Sequence, residues 1–198
     1  MKTHSLFEFD KSILKKYQDK YLYLMVDEFQ DTNTIQYNWL QEISSKSATI
    51  TTVGDDDQSI YGWRGADVTN ILDFEKFFPS CRIFTLKKNY RSTQQILDAA
   101  TAVVTHNDRR AKKQLLAENG EGDLLGLFKI RDELEEADAI ISALEKEIKL
   151  NKRTFCDFAV LYRTNAQSRA LEDSFRRIGI PYNLIGSIRF YDRKEVKD

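Results

Sequence analysis

Two short stretches carry side chains whose types and spacing can do chemistry. Asp27, Glu28 and Asp31 fall within "DEFQD", directly after the apolar run "YLYLMV" (residues 21–26). Asp55, Asp56 and Asp57 fall within "GDDDQSIYGWRG" (residues 54–65), after a second apolar run, "ATITTV" (residues 48–53). Runs of this kind, without alternation, suit strands covered on both faces in a parallel sheet. In open α/β sheets ligands sit at the carboxyl ends of the strands. There an Asp can hold Mg²⁺, usually through water, while a following Glu polarises an attacking water. The competing reading is that acidic residues simply cap strand ends and turns. Gln58, next to the second cluster, can bond a terminal phosphate and change partner when that phosphate leaves. Tyr61 and Trp63, set among glycines, suit base stacking, worth ~1–3 kcal/mol per base. Arg64 can pair with a phosphate or a carboxylate. On the loop alone, a Trp63 that plugs a core stands as an equal alternative.

The elements that must position these groups alternate. "RIFTL" (residues 82–86) is a third apolar run, ending in Lys87-Lys88-Asn89. Helical patterns cover residues 33–44 and 66–78, the latter stopped by Pro79. Strand, helix, strand, helix, strand is the rhythm of an open α/β sheet. Farther on, the pattern predicts a helix over 92–105, a loop over 107–123 and a strand at "LLGLFKI" (124–130). It then predicts a helix over 132–150 capped by Asp132, a strand at "DFAVLYR" (157–163), a helix over 166–178 closed by Gly179, and a short strand at "YNLI" (182–185). The chain thus reads as two α/β units, with the boundary near residues 85–92.

The chain is long enough for a sizeable core: 198 residues, 41% hydrophobic. Its net charge of −1 names no partner. Local charge says more. Residues 82–113 hold eight basic side chains (Arg82, Lys87, Lys88, Arg91, Arg109, Arg110, Lys112, Lys113) against Asp98 and Asp108. That run is either a solvated face or the best candidate for meeting a polyanion. Cys81 and Cys156, the two cysteines, fit no metal spacing and read as reduced thiols of a cytosolic protein. No apolar stretch approaches the roughly 20 residues of a membrane span, and no signal peptide opens the chain.

Four long motifs occur in order: "VDEFQDTNTIQY", "VGDDDQSIYGWRGA", "LKKNYRST" and "LYRTNAQSRALE". Together they resemble the superfamily 1 DNA helicases of the UvrD, PcrA and Rep group, over about residues 21–198. "IPYNLIGSIRFYDRKEVKD" is similar to the second-lobe stretch that precedes that family's inserted domain. The resemblance implies RecA-like parallel sheets with flanking helices, of the P-loop NTPase type. It implies parts of two motor lobes, 1–88 and 89–198. It also implies ATP and Mg²⁺ as ligands, and single-stranded DNA and duplex junctions as partners. The implied activity is ATP-driven 3′→5′ movement on DNA in repair or replication restart.

By the same resemblance Asp27 is the Mg²⁺-side carboxylate, Glu28 the catalytic base and Gln58 the γ-phosphate sensor. Tyr61, Trp63 and Arg64 contact single-stranded DNA. Tyr90 stacks on the adenine, Arg91 is an arginine finger, and Arg163 and Asn165 are second-lobe DNA contacts. The residues alone leave plainer roles open: a core tyrosine at 90, a surface arginine at 91, a helix cap at 165. No G-x-x-x-x-G-K-[ST] occurs in the chain. It is therefore expected to be a central fragment, inactive in hydrolysis on its own. Two alternatives stand beside the motor. One is an ATPase-inactive domain that binds DNA or a partner. The other is the helicase subunit of a recombination nuclease, which Asp56-Asp57 argues against.

Overall fold

Parallel pairing of two four-residue strands brings the acidic stretches to one edge. In the computed structural model, which describes residues 2–44 and 48–185 (residue 2 by its backbone alone), β1 (Tyr23–Val26) and β2 (Thr49–Thr52) run in register from Tyr23↔Thr49 to Val26↔Thr52. The pairing continues past both strands: the Val53 N–H donates to the Val26 carbonyl (2.8 Å), and the Phe29 N–H donates to the Val53 carbonyl (3.0 Å). α3 (Thr34–Ile43) makes the crossover. Asn33 starts it with a capping box, its side chain accepting from the Gln36 N–H while the Gln36 side chain accepts from the Asn33 N–H, both at 2.9 Å. Tyr37, Leu40 and Ile43 bury one face of this helix at helical spacing. Tyr37 and Leu40 join the fully buried Phe29 in a core that also takes Leu24, Val26, Ile50, Ile71 and Phe74.

Residues 2–20, for which the sequence offered no assignment, form α1 (Lys2–Phe9) and α2 (Lys11–Lys20). Asp10 caps α2, accepting from the N–H groups of Ser12 (2.9 Å) and Ile13 (3.2 Å). The pair docks on α3 through the Gln18 amide, which donates to the Glu42 carbonyl, and through His4 Nδ1, 2.9 Å from Glu42 Oε2, while buried Phe7 packs against Tyr17 within the pair.

Several predicted elements differ. The helix expected over 66–78 is two short ones, α4 (Thr69–Leu72) and α5 (Phe74–Phe77). Just before the first, Asp67 Oδ1 accepts from the Thr69 N–H and hydroxyl. Asp73 then leaves helical geometry (φ −101°, ψ 12°), and Phe74 meets Phe29 edge-on at 5.6 Å. "RIFTL" is not a strand. The chain is exposed there, with Phe84 81% accessible, and among the described residues its pairing begins at Lys87 and runs through β3 (Lys88–Asn89), parallel to β4 (Leu116–Ala117). "LLGLFKI", "DFAVLYR" and "YNLI" are likewise not strands. A strand exists through its neighbours' hydrogen bonds, and among the described residues these segments have no ladder. Two small parallel pairs flanked by helices result. α6 (Gln94–Val104) follows β3, and the predicted loop after it is interrupted only by β4.

The chain divides into two compact units, residues 1–125 and 126–198. In the second, α7 (Glu133–Asn151) and α8 (Ser168–Ile178) pack through Ile141, Leu144, Phe175 and Ile180, with Phe158 and Val160 laid against them. Asp132 caps α7 and Gly179 (φ 81°) closes α8, both as the sequence predicts. The family-like stretch over 186–198 lies outside the described residues. Among the described residues no helix is long and apolar enough to cross a membrane.

Gly54 is where the two loops touch. A Cβ there would lie 2.6 Å from Gln30 Oε1 and 2.8 Å from Ile71 Cδ1, whereas one at Gly62 would meet nothing within 4 Å. Gly54→Ala should destabilise the fold by ~1–3 kcal/mol through overpacking, and Gly62→Ala should stay within about 0.5 kcal/mol of the parent. Urea denaturation of both variants checks this; equal losses would show that Gly54 is not a tight contact.

Candidate functional site

The carboxyl edge of β1 and β2 carries a continuous chain of hydrogen bonds. Asp27 and Glu28 are exposed. Glu28 has left-handed backbone geometry (φ 49°, ψ 43°), uncommon for a residue with a Cβ. It is held there on both sides. Asp27 Oδ1 accepts from the Glu28 N–H (2.9 Å), and the next residue, Phe29, is anchored in the core. The Glu28 carboxylate accepts from Gln30 Nε2 (2.8 Å), Gln30 Oε1 accepts from the Asp55 N–H (3.0 Å), and Asp55 Oδ2 accepts from Gln58 Nε2 (2.8 Å). Gln58 therefore lies on the same edge as Glu28. Asp31 Oδ1 is buried with no hydrogen-bond partner.

The three aspartates of the second loop are neutralised from within the chain. Lys113 Nζ bonds Asp55, Asp56 (2.6 Å) and Asp57 (3.1 Å) at once. Arg110 forks onto Asp57 with Nε (2.9 Å) and Nη2 (2.8 Å), and the Ala111 N–H donates to Asp56 (2.7 Å). This corrects the reading of residues 82–113 as one basic face. Arg110 and Lys113 are spent on the acidic loop, because three adjacent carboxylates packed this closely need cations beside them. It also decides what the triad is. Its oxygens lie within 4.8 Å of one another, a spacing that suits a metal, but the Lys113 ammonium occupies that role.

Each charge stabilises the other. Burial pushes the Asp55 carboxyl up, but hydrogen bonds from Lys113 and Gln58 outweigh it and hold the group below its ordinary value. The Arg110 fork does the same for Asp57, against its burial. Burial alone would lower the Lys113 ammonium; the three carboxylates outweigh it and raise it.

The same loop ends in an aromatic surface. Residues 62–64 form a single helical turn closed by Gly65 (φ 88°). Trp63 is 72% exposed, so it does not plug a core. Its ring lies 6.5 Å from that of Tyr61, and the Arg64 guanidinium sits over both, 4.5 Å from the Trp63 ring centre and 5.3 Å from that of Tyr61. Tyr90 and Arg91 follow β3 with exposed side chains, so neither is a core residue. Asn89 Oδ1 fixes their backbone by accepting from the Arg91 (3.0 Å) and Ser92 (2.8 Å) N–H groups. In the second unit, Gln167 pins the loop before α8 by accepting from the Arg163 and Thr164 N–H groups, both at 2.9 Å. Arg163 and Asn165 stand exposed on it, and Asn165 is not the cap of that helix.

The structure thus joins Asp27, Glu28 and Gln58 into one edge and Tyr61, Trp63 and Arg64 into one surface, on a shared loop. Three participants were missed in the sequence. Gln30 gives only the weak signal of an amide beside a buried aromatic. Arg110 and Lys113 are signalled by a basic pair set opposite an acidic triplet. Asp27 and Glu28 offer hard, acceptor-only oxygens, the ligand type that Mg²⁺ takes, but among the described residues the spacing of a three-carboxylate metal site occurs at Asp55, Asp56 and Asp57 and not at Asp27, Glu28 and Asp31.

Comparisons with known proteins match both halves of the chain to one family of helicases. The UvrD/REP helicase N-terminal domain model matches residues 1–79, and the UvrD-like helicase C-terminal domain model matches residues 84–198. Proteins named ATP-dependent DNA helicase PcrA are similar along the whole chain: 46% identical in Leuconostoc citreum, 45% in Staphylococcus epidermidis and 46% in Staphylococcus aureus. The chain spans about a quarter of the length of these relatives, 26% of the first and 27% of the other two.

The Lys113 cluster sets a pH window. Asp55 and Asp57 have lowered values, so their stabilisation is present above the ordinary carboxylate value of about 4 and is lost as pH falls through their folded values. Lys113 has a raised value, so its contribution holds below about 10 and is lost as pH rises through the folded value. Lys113→Met should cost ~1–3 kcal/mol at neutral pH, allowing for solvent screening of the open carboxylates. The cost should shrink once the carboxylates are protonated. Urea titrations of parent and variant at pH 7 and at a pH well below the ordinary carboxylate value of about 4 check it; an equal loss at both would mean that the lysine stem is only packing.

Proposed function

The chain belongs to the UvrD-like helicase family, and on that premise we propose that it is part of an ATP-dependent 3′→5′ DNA helicase. That motor couples ATP hydrolysis to movement on single-stranded DNA, in the cytosol, in repair or replication restart. The observation that carries the reading is the unbroken path from Glu28 through Gln30 and Asp55 to Gln58, on a loop that ends five residues later in exposed Trp63. One end of the loop is built for phosphate chemistry and the other for flat, unpaired bases.

ATP with Mg²⁺ supplies the phosphoryl bond and the counter-charge, and Asp27 is the residue that would hold the metal, through water. Glu28 is exposed, with one carboxylate oxygen fixed by Gln30, which suits a base that takes a proton from water. Gln58 has an amide nitrogen on Asp55, a bond it can exchange for a phosphate oxygen. Tyr90 is open for stacking on an adenine. Arg91 is open to reach a phosphate across a lobe interface, in the manner of an arginine finger. Tyr61, Trp63 and Arg64 are the contacts of the first unit to single-stranded DNA and duplex junctions, and Arg163 and Asn165 are those of the second unit. The RecA-like lobes divide at residues 88/89, close to the gap between the two family matches at 79 and 84. Residues 89–125 nonetheless pack with the first compact unit, where Arg110 and Lys113 meet the acidic loop.

Two variants of the complete helicase test this. Trp63→Ala should lose a stacked base, about 1–3 kcal/mol or one to two decades of single-strand affinity, while its melting temperature stays that of the parent. Glu28→Gln should do the reverse, sparing DNA affinity and stopping hydrolysis. A melting temperature that drops with no specific loss of affinity would refute the base platform. Hydrolysis that survives Glu28→Gln would refute Glu28 as the base, and a parent that hydrolyses no ATP at all would leave only a DNA-binding domain.

A further inference from the structure

Gln30 touches neither phosphate nor base in the reading above, yet it is the most constrained polar side chain on this edge. It is 1% exposed. Burying an amide is unfavourable unless its hydrogen bonds are made, and here both ends are engaged. Nε2 donates to Glu28 Oε2 at 2.8 Å, and Oε1 accepts from the Asp55 N–H at 3.0 Å. Its backbone carbonyl also accepts from Ser59 Oγ at 3.2 Å. The amide can sit only one way round: reversed, its oxygen would face a carboxylate and its NH₂ would face an N–H. Gly54 leaves the space that the amide oxygen fills. The two bonds lead to different strands' loops. One holds the exposed carboxylate of Glu28. The other holds the backbone of Asp55, whose side chain in turn accepts from Gln58 Nε2 at 2.8 Å.

We propose that Gln30 is a positioning residue that ties the Glu28 carboxylate to the loop carrying Gln58, so that a change at one is transmitted to the other. Its meaning for hydrolysis rests on the roles proposed for Glu28 and Gln58; the tie itself does not. The coupling then has two arms meeting at Asp55 and Gln58, one from the base through a buried amide and one onward along the loop to Trp63. The bond from Gln30 to Glu28 is charge-assisted, the stronger kind of hydrogen bond. Removing the charge at Glu28 therefore loosens the amide at its other end as well.

A double-mutant cycle on the isotope-labelled chain, followed by NMR without nucleotide, tests the tie. Glu28→Gln should move the Gln30 side-chain amide, the Asp55 N–H and the Gln58 side-chain amide, and leave Ile50, in the middle of β2, unmoved. In a Gln30→Met background the same substitution should move Asp55 and Gln58 several-fold less. Gln30→Met alone should speed hydrogen exchange at the Asp55 N–H by roughly three- to tenfold, the factor for one net hydrogen bond. Shifts at Asp55 and Gln58 of equal size in both backgrounds overturn the proposal. Should Gln30→Met not fold, Glu28→Gln decides alone: movement at Gln30 and Asp55 together carries the tie, and silence at either overturns it. In the complete helicase Gln30→Met should lower kcat for ATP with little change in KM, and an unaltered kcat would remove its catalytic meaning. Hydrolysis that survives Glu28→Gln instead refutes the role of Glu28, an outcome distinct from the NMR result.

Discussion

Everything on the candidate edge follows from one register. Because Tyr23 pairs with Thr49 and Val26 with Thr52 in parallel, the chain leaves both strands at the same end. Two further backbone bonds, Val53 to Val26 and Phe29 to Val53, carry the pairing into the loops. A slip of one residue would turn either Leu24 and Val26 or Ile50 away from the core, depending on which strand moved. It would also pull the Asp55 N–H away from Gln30. Hydrophobic burial of the strands and hydrogen bonding of the polar edge thus select the same alignment. That agreement across levels is what makes so short a sheet specific.

Above this register the two loops are fixed by different physics. The first is fixed by packing. Phe29 is driven into the core, and Glu28, one residue earlier, takes up the left-handed turn that this requires. Residues with strained backbones concentrate where structure is built for function, and Glu28 and Lys152 are the two non-glycine residues with positive φ recorded in the described chain. The second loop is fixed by charge. Lys113 and Arg110, more than fifty residues away in sequence, hold its three aspartates in place. A packed loop is insensitive to ions; a charged one is not.

The sequence revealed what local rules control. Asp132 and Gly179 cap their helices as the sequence predicts, because capping involves only the nearest residues. The acidic ends of β1 and β2 were legible because an apolar run must stop where the sheet stops. Strand extents were not. "RIFTL" and "LLGLFKI" have the composition of strands, but a ladder is a property of two segments, and these find no second one among the described residues. The division of labour in the basic run was hidden for a related reason. Arg110 and Lys113 differ from Lys112 and Lys87 only by where the fold sends them. Gln30 was hidden because glutamine is ordinarily a surface residue, and nothing in its neighbours announces burial on both sides.

The guanidinium of Arg64 resting on Trp63 makes that ring an occupied receptor. A flat molecule arriving on the covered face does not meet bare indole; it must evict an internal competitor whose hold on an exposed ring is about 0.5–1 kcal/mol. Arrival there is an exchange reaction, and the displaced cation becomes free to pair with an anion carried in by the newcomer. A neutral aromatic compound would meet only the barrier of eviction, whereas one attached to a phosphate would recover it. The stacked arginine therefore acts as a chemical filter, favouring rings that bring negative charge with them.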